Sequence, residues 1–314
     1  MLAVVSNEGA VTVAERPDPE PGVGELLVAV RAAGLNNADV AQARGRYPAP
    51  PGSPPDILGL ELAGEVVGVG PHVSRFQVGD RVMAVVGGGG QAERAVVHER
   101  LAMPVPDDVS WESAGAFPET FSTAHDALFG QCALAMGERL LVHGAAGGVG
   151  TAAVQLGAAA GARVTGTVRN PEHRRAVADL GAEAVAPEGF ASRGPFDVIL
   201  ELVGGPNLAE NLSALGVGGR ISVIGTGAGA VVEQLHLGQL MAKRARLSGS
   251  TLRARPLEAK AEVARRVEAH VLPLLETGKV RVPIWDRYPL AEAAAAYERF
   301  VAGGKLGKIV LRLS

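Results

Sequence analysis

Three glycines at intervals of three residues, Gly144, Gly147 and Gly150, lie within the segment RLLVHGAAGGVGTAAVQLG. An apolar strand pattern precedes them, and a small-residue helix pattern follows. Glycine permits a tight turn and lets backbone N–H groups approach a pyrophosphate, while the helix amino terminus favours negative charge. A strand-to-helix turn without a ligand is the alternative, but the order strand, helix, second strand favours a dinucleotide site. The loop residues predicted to bind it are Gly144, Ala146, Gly147, Gly148, Val149 and Gly150.

The end of the second strand indicates which dinucleotide is bound. NAD sites usually place an acid about 20 residues after the glycines, whereas NADP sites replace it with cations. In the stretch VTGTVRNPEHRR, Gly166, Thr167 and Val168 occupy the region of that acid, and basic side chains follow them. We therefore predict NADPH, with a solvated basic helix start as the alternative. The residues predicted to meet its phosphate and ribose are Thr167, Arg169, His173 and Arg174.

Two patterns of elements would position these residues. Residues 1–117 show short β-rich runs separated by Gly, Pro and Asp, which predicts a compact β domain. Residues 118–255 alternate apolar strands with Ala-rich helices, which predicts a parallel sheet covered on both faces. The last segment, 256–314, has no βαβ partner and is expected to complete the first domain. The predicted fold class is therefore α/β, with the parallel domain inserted into the β domain.

The composition argues against several classes of function. The formal net charge of −3 over 314 residues removes the usual electrostatic reason to expect nucleic acid or an anionic membrane as partner. Cys132 is the only cysteine, so neither an intramolecular disulfide nor a four-thiolate zinc site can form. The amino terminus lacks a leader pattern, and no run approaches the roughly 20 apolar residues that cross a bilayer. We expect a cytoplasmic protein with a small-molecule substrate.

The chain contains four long motifs: RGRYPAPPGSPPDILGLELAGEVVGVG, GGGGQAERAVV, HGAAGGVGTAAVQL and the ending GKIVL. In this order they resemble the zinc-independent quinone oxidoreductases of the medium-chain dehydrogenase/reductase superfamily, and most of all the p53-inducible quinone oxidoreductase subgroup. The resemblance implies a GroES-like catalytic domain made from both chain ends, an inserted Rossmann domain that binds NADPH, and a cleft between them. It also implies a homodimer formed through the Rossmann sheets.

The resemblance also bears on metal binding. Zinc-dependent relatives use a cysteine, a His-Glu pair and a third ligand, because an open catalytic zinc needs three protein ligands. Asn36 stands at the cysteine position, and Leu60 and Glu61 stand at the His-Glu position. We therefore expect no metal. Glu61 is expected to be a structural acid facing an arginine or backbone N–H groups, and Cys132 a small buried residue.

A quinone or conjugated enone accepts hydride without a metal, because the negative charge spreads over the conjugated system. The resemblance assigns Asn36 and Tyr47 to this step: Asn36 donates a hydrogen bond to a carbonyl oxygen, and Tyr47 orients the substrate or delivers a proton. A second tyrosine of some relatives is Ala41 here, so water is another proton source. The alternatives are that Asn36 only closes a turn and that Tyr47 packs against the prolines of YPAPP.

Other positions follow from the resemblance. Thr123 matches a nicotinamide contact, with helix capping as the alternative. Gly204 and Gly225 follow strands and are expected to let the backbone approach the ribose and nicotinamide. Lys305 and Lys308 are expected either on a solvated face or near the cofactor.

The predicted function is NADPH-dependent, metal-free hydride transfer to quinones or similar activated carbonyl acceptors. An enoyl or enone reductase of the same superfamily is the close alternative. A non-catalytic NADPH-binding sensor is the alternative from another class.

Overall fold

The computed structural model describes residues 1–7 and 9–313. The chain divides into two compact units. Unit 1 comprises residues 1–122 and 252–314, and unit 2 comprises Thr123–Thr251. Among the described residues, no helix is long and apolar enough to cross a membrane.

Unit 1 contains a seven-stranded sheet and a two-stranded sheet. Its strands are β1 (Leu2–Asn7), β2 (Ala10–Glu15), β3 (Glu25–Gly34), β4 (Glu61–Val69), β5 (Arg81–Val85), β6 (Arg94–His98), β7 (Ala102–Pro104), β14 (Ile284–Pro289) and β15 (Lys308–Arg312). Its helices are α1 (Asn37–Ala43), α2 (Trp111–Gly115), α3 (Pro118–His125, which runs on into unit 2), α8 (Leu257–His270), α9 (Leu272–Glu276) and α10 (Ala293–Ala302). Alternate residues of β3, among them Leu26, Val28 and Val30, enter one apolar core, as expected of a strand with one buried face.

The carboxyl-terminal strand lies inside the sheet of unit 1. β15 pairs antiparallel with β3, so that Val310 faces Gly34, and β14 pairs parallel with β15. This pairing confirms that both chain ends build the β domain. It also brings Lys308, at the start of β15, beside the chain that leaves β3.

Unit 2 contains a six-stranded parallel sheet. Its strands are β8 (Arg139–Val142), β9 (Arg163–Thr167), β10 (Ala182–Val185), β11 (Phe196–Glu201), β12 (Leu215–Val223) and β13 (Arg246–Gly249), and its helices are α4 (Gly148–Ala159), α5 (Arg174–Ala178), α6 (Leu208–Ala214) and α7 (Leu237–Ala242). The spatial order β10-β9-β8-β11-β12-β13 is that of a doubly wound Rossmann sheet. The order reverses between β8 and β11, and such sheets bind ligands at the carboxyl ends of the strands at that point.

The glycine turn after β8 has the geometry that its sequence predicts. Gly144 has φ 61°, which favours glycine, and Gly147 is the N-cap of α4. A Cβ on Gly150 would lie 2.3 Å from the carbonyl oxygen of Gly144, so a larger residue would push the helix away from the turn. The loop therefore depends on glycine both for its turn and for the close approach of α4.

Candidate active site

Asn36 is the N-cap residue of α1. Its Nδ2 donates to Glu61 Oε1 at 2.9 Å, and its Oδ1 accepts from Lys308 Nζ at 2.6 Å. Lys308 Nζ also donates to Glu61 Oε1 at 2.6 Å and to the Leu35 carbonyl at 2.8 Å. Glu61 and Lys308 are 0% and 3% exposed, whereas Asn36 is 9% exposed. The amide of Asn36 is therefore held by a buried ion pair.

Further buried charges surround this pair. Asp39 Oδ2 accepts from the backbone N–H of Asn36 at 2.8 Å, while Asp39 Oδ1 has no hydrogen-bond partner among the described residues. Burial raises the pKa of Asp39 to about 7, and the nearby Glu61 adds to this effect, although Lys308 and Arg253 oppose it. A protonated Asp39 therefore predominates below neutral pH.

Glu119 lies beside the same charges. Its backbone N–H donates to Glu61 Oε2 at 2.9 Å, and burial, together with the charge of Glu61, raises the pKa of the Glu119 carboxyl to about 8. We call Asn36, Asp39, Glu61, Glu119, Arg253 and Lys308 the ionic cluster. Its three carboxyl groups and two cations are balanced when one carboxyl group holds a proton.

Arg253 connects the ionic cluster to Tyr47. The Arg253 guanidinium donates to the carbonyl oxygens of Tyr47 and Gly87, each at 2.8 Å, and to the side chain of Gln42 in α1. The guanidinium carbon also lies 5.0 Å from the centre of the Tyr47 ring, a cation–π distance. Partial burial raises the pKa of Tyr47, so its hydroxyl is a proton donor at neutral pH. Arg253 thus fixes the backbone of Tyr47 beside α1, the helix that begins at Asn36.

A second polar cluster lies in unit 2, at the carboxyl ends of its strands. Thr167 Oγ1 accepts from the Gly144 N–H at 3.2 Å and lies 3.2 Å from His143 Nδ1. His143 Nε2 lies 2.7 Å from Asn211 Oδ1, and Asn211 Nδ2 donates to Glu201 Oε2 at 2.7 Å. We call Gly144, Thr167, His143, Asn211 and Glu201 the amide chain.

The direction of the hydrogen bonds in the amide chain follows from its ends. Asn211 turns its N–H towards Glu201, so its oxygen faces His143 and requires a proton on His143 Nε2. His143 Nδ1 is then an acceptor and receives the Thr167 hydroxyl. Burial holds the pKa of His143 below its ordinary value, although Glu201 opposes this, so the neutral ring is the stable form at pH 7.

The far end of the amide chain holds a second loop. Glu201 Oε1 accepts from the backbone N–H groups of Val203 at 2.6 Å and Gly204 at 2.8 Å. The amide chain therefore links the turn after β8 to the loop after β11, on the two sides of the point where the strand order reverses. It holds the backbone of these two loops in place and does not orient a reactive side chain.

The remaining predicted cofactor residues lie in several environments. Thr167 is 3% exposed, and its hydroxyl forms its hydrogen bonds within the amide chain. His173 is 7% exposed, whereas Arg169 is exposed and Arg174 is half-buried, with its Nε 3.4 Å from the Val168 carbonyl. Of the residues predicted to meet the phosphate, Arg169 and Arg174 are thus more accessible than His173.

Gly204 and Gly225 lie in close-packed loops. A Cβ on Gly204 would lie 2.6 Å from the Gly229 carbonyl, and one on Gly225 would lie 2.3 Å from the Leu202 carbonyl. Thr123 is buried within α3 and not at its amino terminus, so its position does not match that of an N-cap. The glycine turn and these loops fit a dinucleotide, since they follow β8, β11 and β12 at one edge of the sheet.

Comparison with known proteins identifies the family. A model of the alcohol dehydrogenase GroES-like domain matches residues 22–107, and a model named zinc-binding dehydrogenase matches residues 148–269. The quinone oxidoreductase of Rattus norvegicus is 33% identical over 307 residues, which cover 94% of this chain and 91% of that protein. This chain belongs to the quinone oxidoreductase family of the medium-chain dehydrogenase/reductases. It is an oxidoreductase, and its family binds nicotinamide cofactors.

Two further proteins widen the comparison beyond named quinone oxidoreductases. Polyketide synthase GfsB of Streptomyces halstedii is 35% identical over 297 residues, which are 92% of this chain and 5% of that protein. The structure of mycobacterial Rv1454c in complex with NADPH superposes with a TM-score of 0.87 at 29% identity, covering 99% of both chains.

The name of the second family model raises the question of zinc, and this family member does not fit that ion. Lys308 lies where Asn36 and Glu61 converge, and an ammonium group repels a cation. Leu60 supplies no ligand atom from its side chain. Cys132 is buried in the other unit, and burial raises its pKa to about 11, against thiolate formation. Among residues 1–7 and 9–313, no group of three His, Cys, Asp or Glu side chains could hold a metal ion.

The sequence did not reveal several members of these clusters. Glu61 meets a backbone N–H, as expected, but its cation is Lys308 and not an arginine. Arg253 and His143 were not predicted to act at all. A hint existed for His143, because it directly precedes the glycine turn of this quinone oxidoreductase family member. Lys308 was expected on a solvated face or near the cofactor, but it is buried, and the sequence around Arg253 carried no such signal.

Proposed function

We propose that the protein reduces quinones or similarly activated carbonyl compounds with NADPH and without a metal ion. The observation that carries this proposal is the amide of Asn36. Its Nδ2 has a second N–H, for which the described residues provide no acceptor, and the residue keeps 9% of its surface exposed. A donor held in place before the reaction stabilises an oxygen on which charge develops. When bound, the nicotinamide supplies the hydride.

Tyr47 is the second group proposed to act on the acceptor. Its ring is half-buried, its backbone is fixed by Arg253, and its raised pKa keeps the hydroxyl protonated. The hydroxyl can orient the acceptor or deliver the proton that follows the hydride, with water as the other source. We propose unit 1 as the catalytic domain and unit 2 as the cofactor domain, which refines the domain limits predicted from the sequence.

The preference for NADPH over NADH rests on the stretch after β9. No acid stands at Gly166, Thr167 or Val168, and Arg169 is exposed. A 2′-phosphate would therefore meet positive charge and no carboxylate. The similarity to Rv1454c, solved with NADPH, supports this choice. We propose Arg169 and Arg174 as the main phosphate ligands, with His173 between them in sequence.

The test follows NADPH absorbance after addition of phenanthrenequinone or para-benzoquinone, with a chelator present and NADH in parallel. We expect chelator-resistant oxidation that prefers NADPH. Arg169→Ala should weaken NADPH far more than NADH, while Arg175→Ala, whose side chain is exposed and paired with Asp179, is the matched control. Binding of NADPH without turnover of any quinone or enone would instead indicate a sensor.

A second candidate acceptor is a conjugated enone or enoyl compound. The similarity of nearly the whole chain to part of a polyketide synthase favours it. The chemistry at Asn36 is the same, because hydride addition again places negative charge on a carbonyl oxygen. Comparing kcat/KM for a quinone and for a cyclic enone separates the two: at least tenfold faster enone reduction would favour this candidate.

We also propose a homodimer formed through the open edge of the unit 2 sheet. β13 is an edge strand, and Leu247 on it is 40% exposed. Leu237 and Met241 of α7 are 61% and 76% exposed. Exposed edge strands and apolar patches are typically covered by a partner. Sedimentation should show that Met241→Glu weakens the dimer, whereas the control Met136→Glu, at an 84% exposed residue outside β13 and α7, does not.

A further inference from the structure

We propose that Lys308 is a positioning residue for the reduction: it fixes the side-chain amide of Asn36 in the one orientation that leaves an N–H for the acceptor oxygen. The inference rests on the proposed function, because it assumes that Asn36 meets the acceptor. It adds a residue from the opposite end of the chain, for which the sequence predicted only a solvated face or a position near the cofactor.

Lys308 cannot itself donate a hydrogen bond to the substrate oxygen. An ammonium group has three N–H donors and no acceptor, and here three oxygens accept from it: those of Leu35, Asn36 and Glu61, at 2.6 to 2.8 Å. The residue is 3% exposed. All its hydrogens are thus used inside the protein, so any effect on the reaction must pass through a neighbour.

That neighbour is Asn36, whose amide has only one acceptable orientation. Its oxygen faces the ammonium of Lys308, a pure donor, and its nitrogen faces the carboxylate of Glu61, a pure acceptor. A flipped amide would place NH₂ against the ammonium and oxygen against the carboxylate. The ion pair therefore dictates the orientation of the amide, which Asn36 alone could not.

The positive charge also improves the donor. Lys308 polarises the Asn36 carbonyl at 2.6 Å, and in a poorly hydrated site such polarisation strengthens the hydrogen bonds that the same amide donates. A preorganised donor of this kind acts on the transition state more than on the bound substrate. Loss of Lys308 should therefore lower kcat more than it raises KM.

The packing leaves room for this arrangement and for little else. A Cβ on Gly34 would lie 2.4 Å from Glu61 Oε1 and 3.0 Å from Lys308 Cε. The pairing of β15 with β3 sets the start of β15 beside this glycine. The backbone of β3 thus confines the ion pair on one side. This keeps the charged groups of Lys308 and Glu61 within hydrogen-bond distance of Asn36.

The experiment compares Asn36→Ala, the charge-neutral double variant K308M/E61Q, their combination, and Lys305→Met as control. Lys305 is the neighbouring lysine of the same segment, but its Nζ lies over the Phe300 ring at 3.7 Å. The readouts are kcat and KM for para-benzoquinone, the Kd of NADPH, the melting temperature, and the pKa of para-nitrophenol bound to the protein. The last is independent of turnover, because the phenolate mimics the charged oxygen.

We expect Asn36→Ala to lower kcat/KM by about 100- to 1,000-fold, the usual loss for one such donor. K308M/E61Q should lower kcat at least about tenfold with an unchanged Kd for NADPH, and should raise the pKa of bound para-nitrophenol. It should add almost nothing to Asn36→Ala, because coupled residues are not additive. Lys305→Met should behave as the wild type.

Three outcomes would overturn the inference. If Asn36→Ala is impaired and K308M/E61Q is not, Lys308 has no positioning role, while the proposed function stands. If the two losses add in full, Lys308 acts independently of Asn36. If Asn36→Ala is fully active, the proposed function falls first. Should K308M/E61Q not fold, the charge-neutral variant K308Q/E61Q, in which both side chains keep hydrogen-bonding groups, decides with the same readouts, and wild-type values there would also overturn the inference.

Discussion

Each unit of the chain buries a polar cluster, and the two clusters are stabilised in different ways. The ionic cluster of unit 1 sets charge against charge: Lys308 faces Glu61, and Arg253 lies near Asp39. The amide chain of unit 2 contains one carboxyl group, Glu201, which is satisfied by backbone and asparagine N–H groups. Its histidine stays neutral.

The difference corresponds to what each cluster holds. Burying charges is expensive, and opposite charges compensate for the loss of water only when the geometry is good. A site that must orient one amide against developing charge gains from such charges. Backbone loops that receive a dinucleotide need rigidity, and here hydrogen bonds to a single carboxyl group and to neutral side chains supply it, without a paired cation such as Lys308. We therefore expect unit 1 to be sensitive to charge and pH, and the amide chain to be much less so.

The largest expected effect comes from breaking the ion pair on one side only. Lys308→Met leaves Glu61 buried without its cation, which should lower the free energy of unfolding of unit 1 by about 3–5 kcal/mol. K308M/E61Q should recover most of this loss, because no unpaired charge remains. Urea denaturation measures both. If the free energy of unfolding of Lys308→Met lies within about 1 kcal/mol of the wild-type value, the ion pair is not electrostatically isolated from water.

The second effect is a pH dependence that Asp39 gives to unit 1. Its pKa is raised from 3.8 to about 7 by burial, so between these values the native state keeps a proton that the unfolded state has released. Stability therefore falls as pH rises through this window, by about 1.4 kcal/mol per pH unit. Below pH 4 both states hold the proton and the cost disappears.

Asp39→Asn should remove this pH-dependent contribution to stability, because the amide carries no titratable proton. Its oxygen can still accept from the Asn36 N–H. Between pH 4.5 and 6, the unfolding free energies of wild type and variant should diverge by roughly 2 kcal/mol in favour of the variant. Glu298→Gln, an exposed position in α10, is the control. Parallel curves for Asp39→Asn and wild type would mean that Asp39 is ionised in the native protein, with Arg253 and Lys308 outweighing burial.

The same contrast explains which features the sequence could predict. The glycine turn, the strands around it and the closing strand β15 follow from local patterns, and the structure confirms them. The partners of Asn36 do not, because Lys308 is 272 residues away and meets it only through the pairing of β15 with β3. The motif GKIVL predicts a strand, but a strand pattern does not show which residues its lysine contacts.

Local sequence also gave no sign of how Thr167 is used. It stands in the region where an NAD site has its acid, so we predicted contact with the cofactor. In the structure its hydroxyl instead joins Gly144 to His143 across two neighbouring strands. That arrangement depends on the parallel register of β8 and β9, in which Val142 faces Gly166. Whether Thr167 also meets the cofactor is a separate, testable proposal.

The smallest expected effect concerns this hydroxyl and distinguishes its two roles. Thr167→Val leaves the Gly144 N–H and His143 Nδ1 without their partner, which should cost about 1 kcal/mol of stability. If the role is to hold the glycine turn, the affinities for NADPH and NADH should fall together, by a few-fold each, at every pH at which His143 is neutral. Thr167→Ser keeps the hydroxyl and serves as the control. A loss confined to NADPH would instead place the hydroxyl at the 2′-phosphate, and the amide chain would then be part of the recognition of the cofactor and not only a support for its loops.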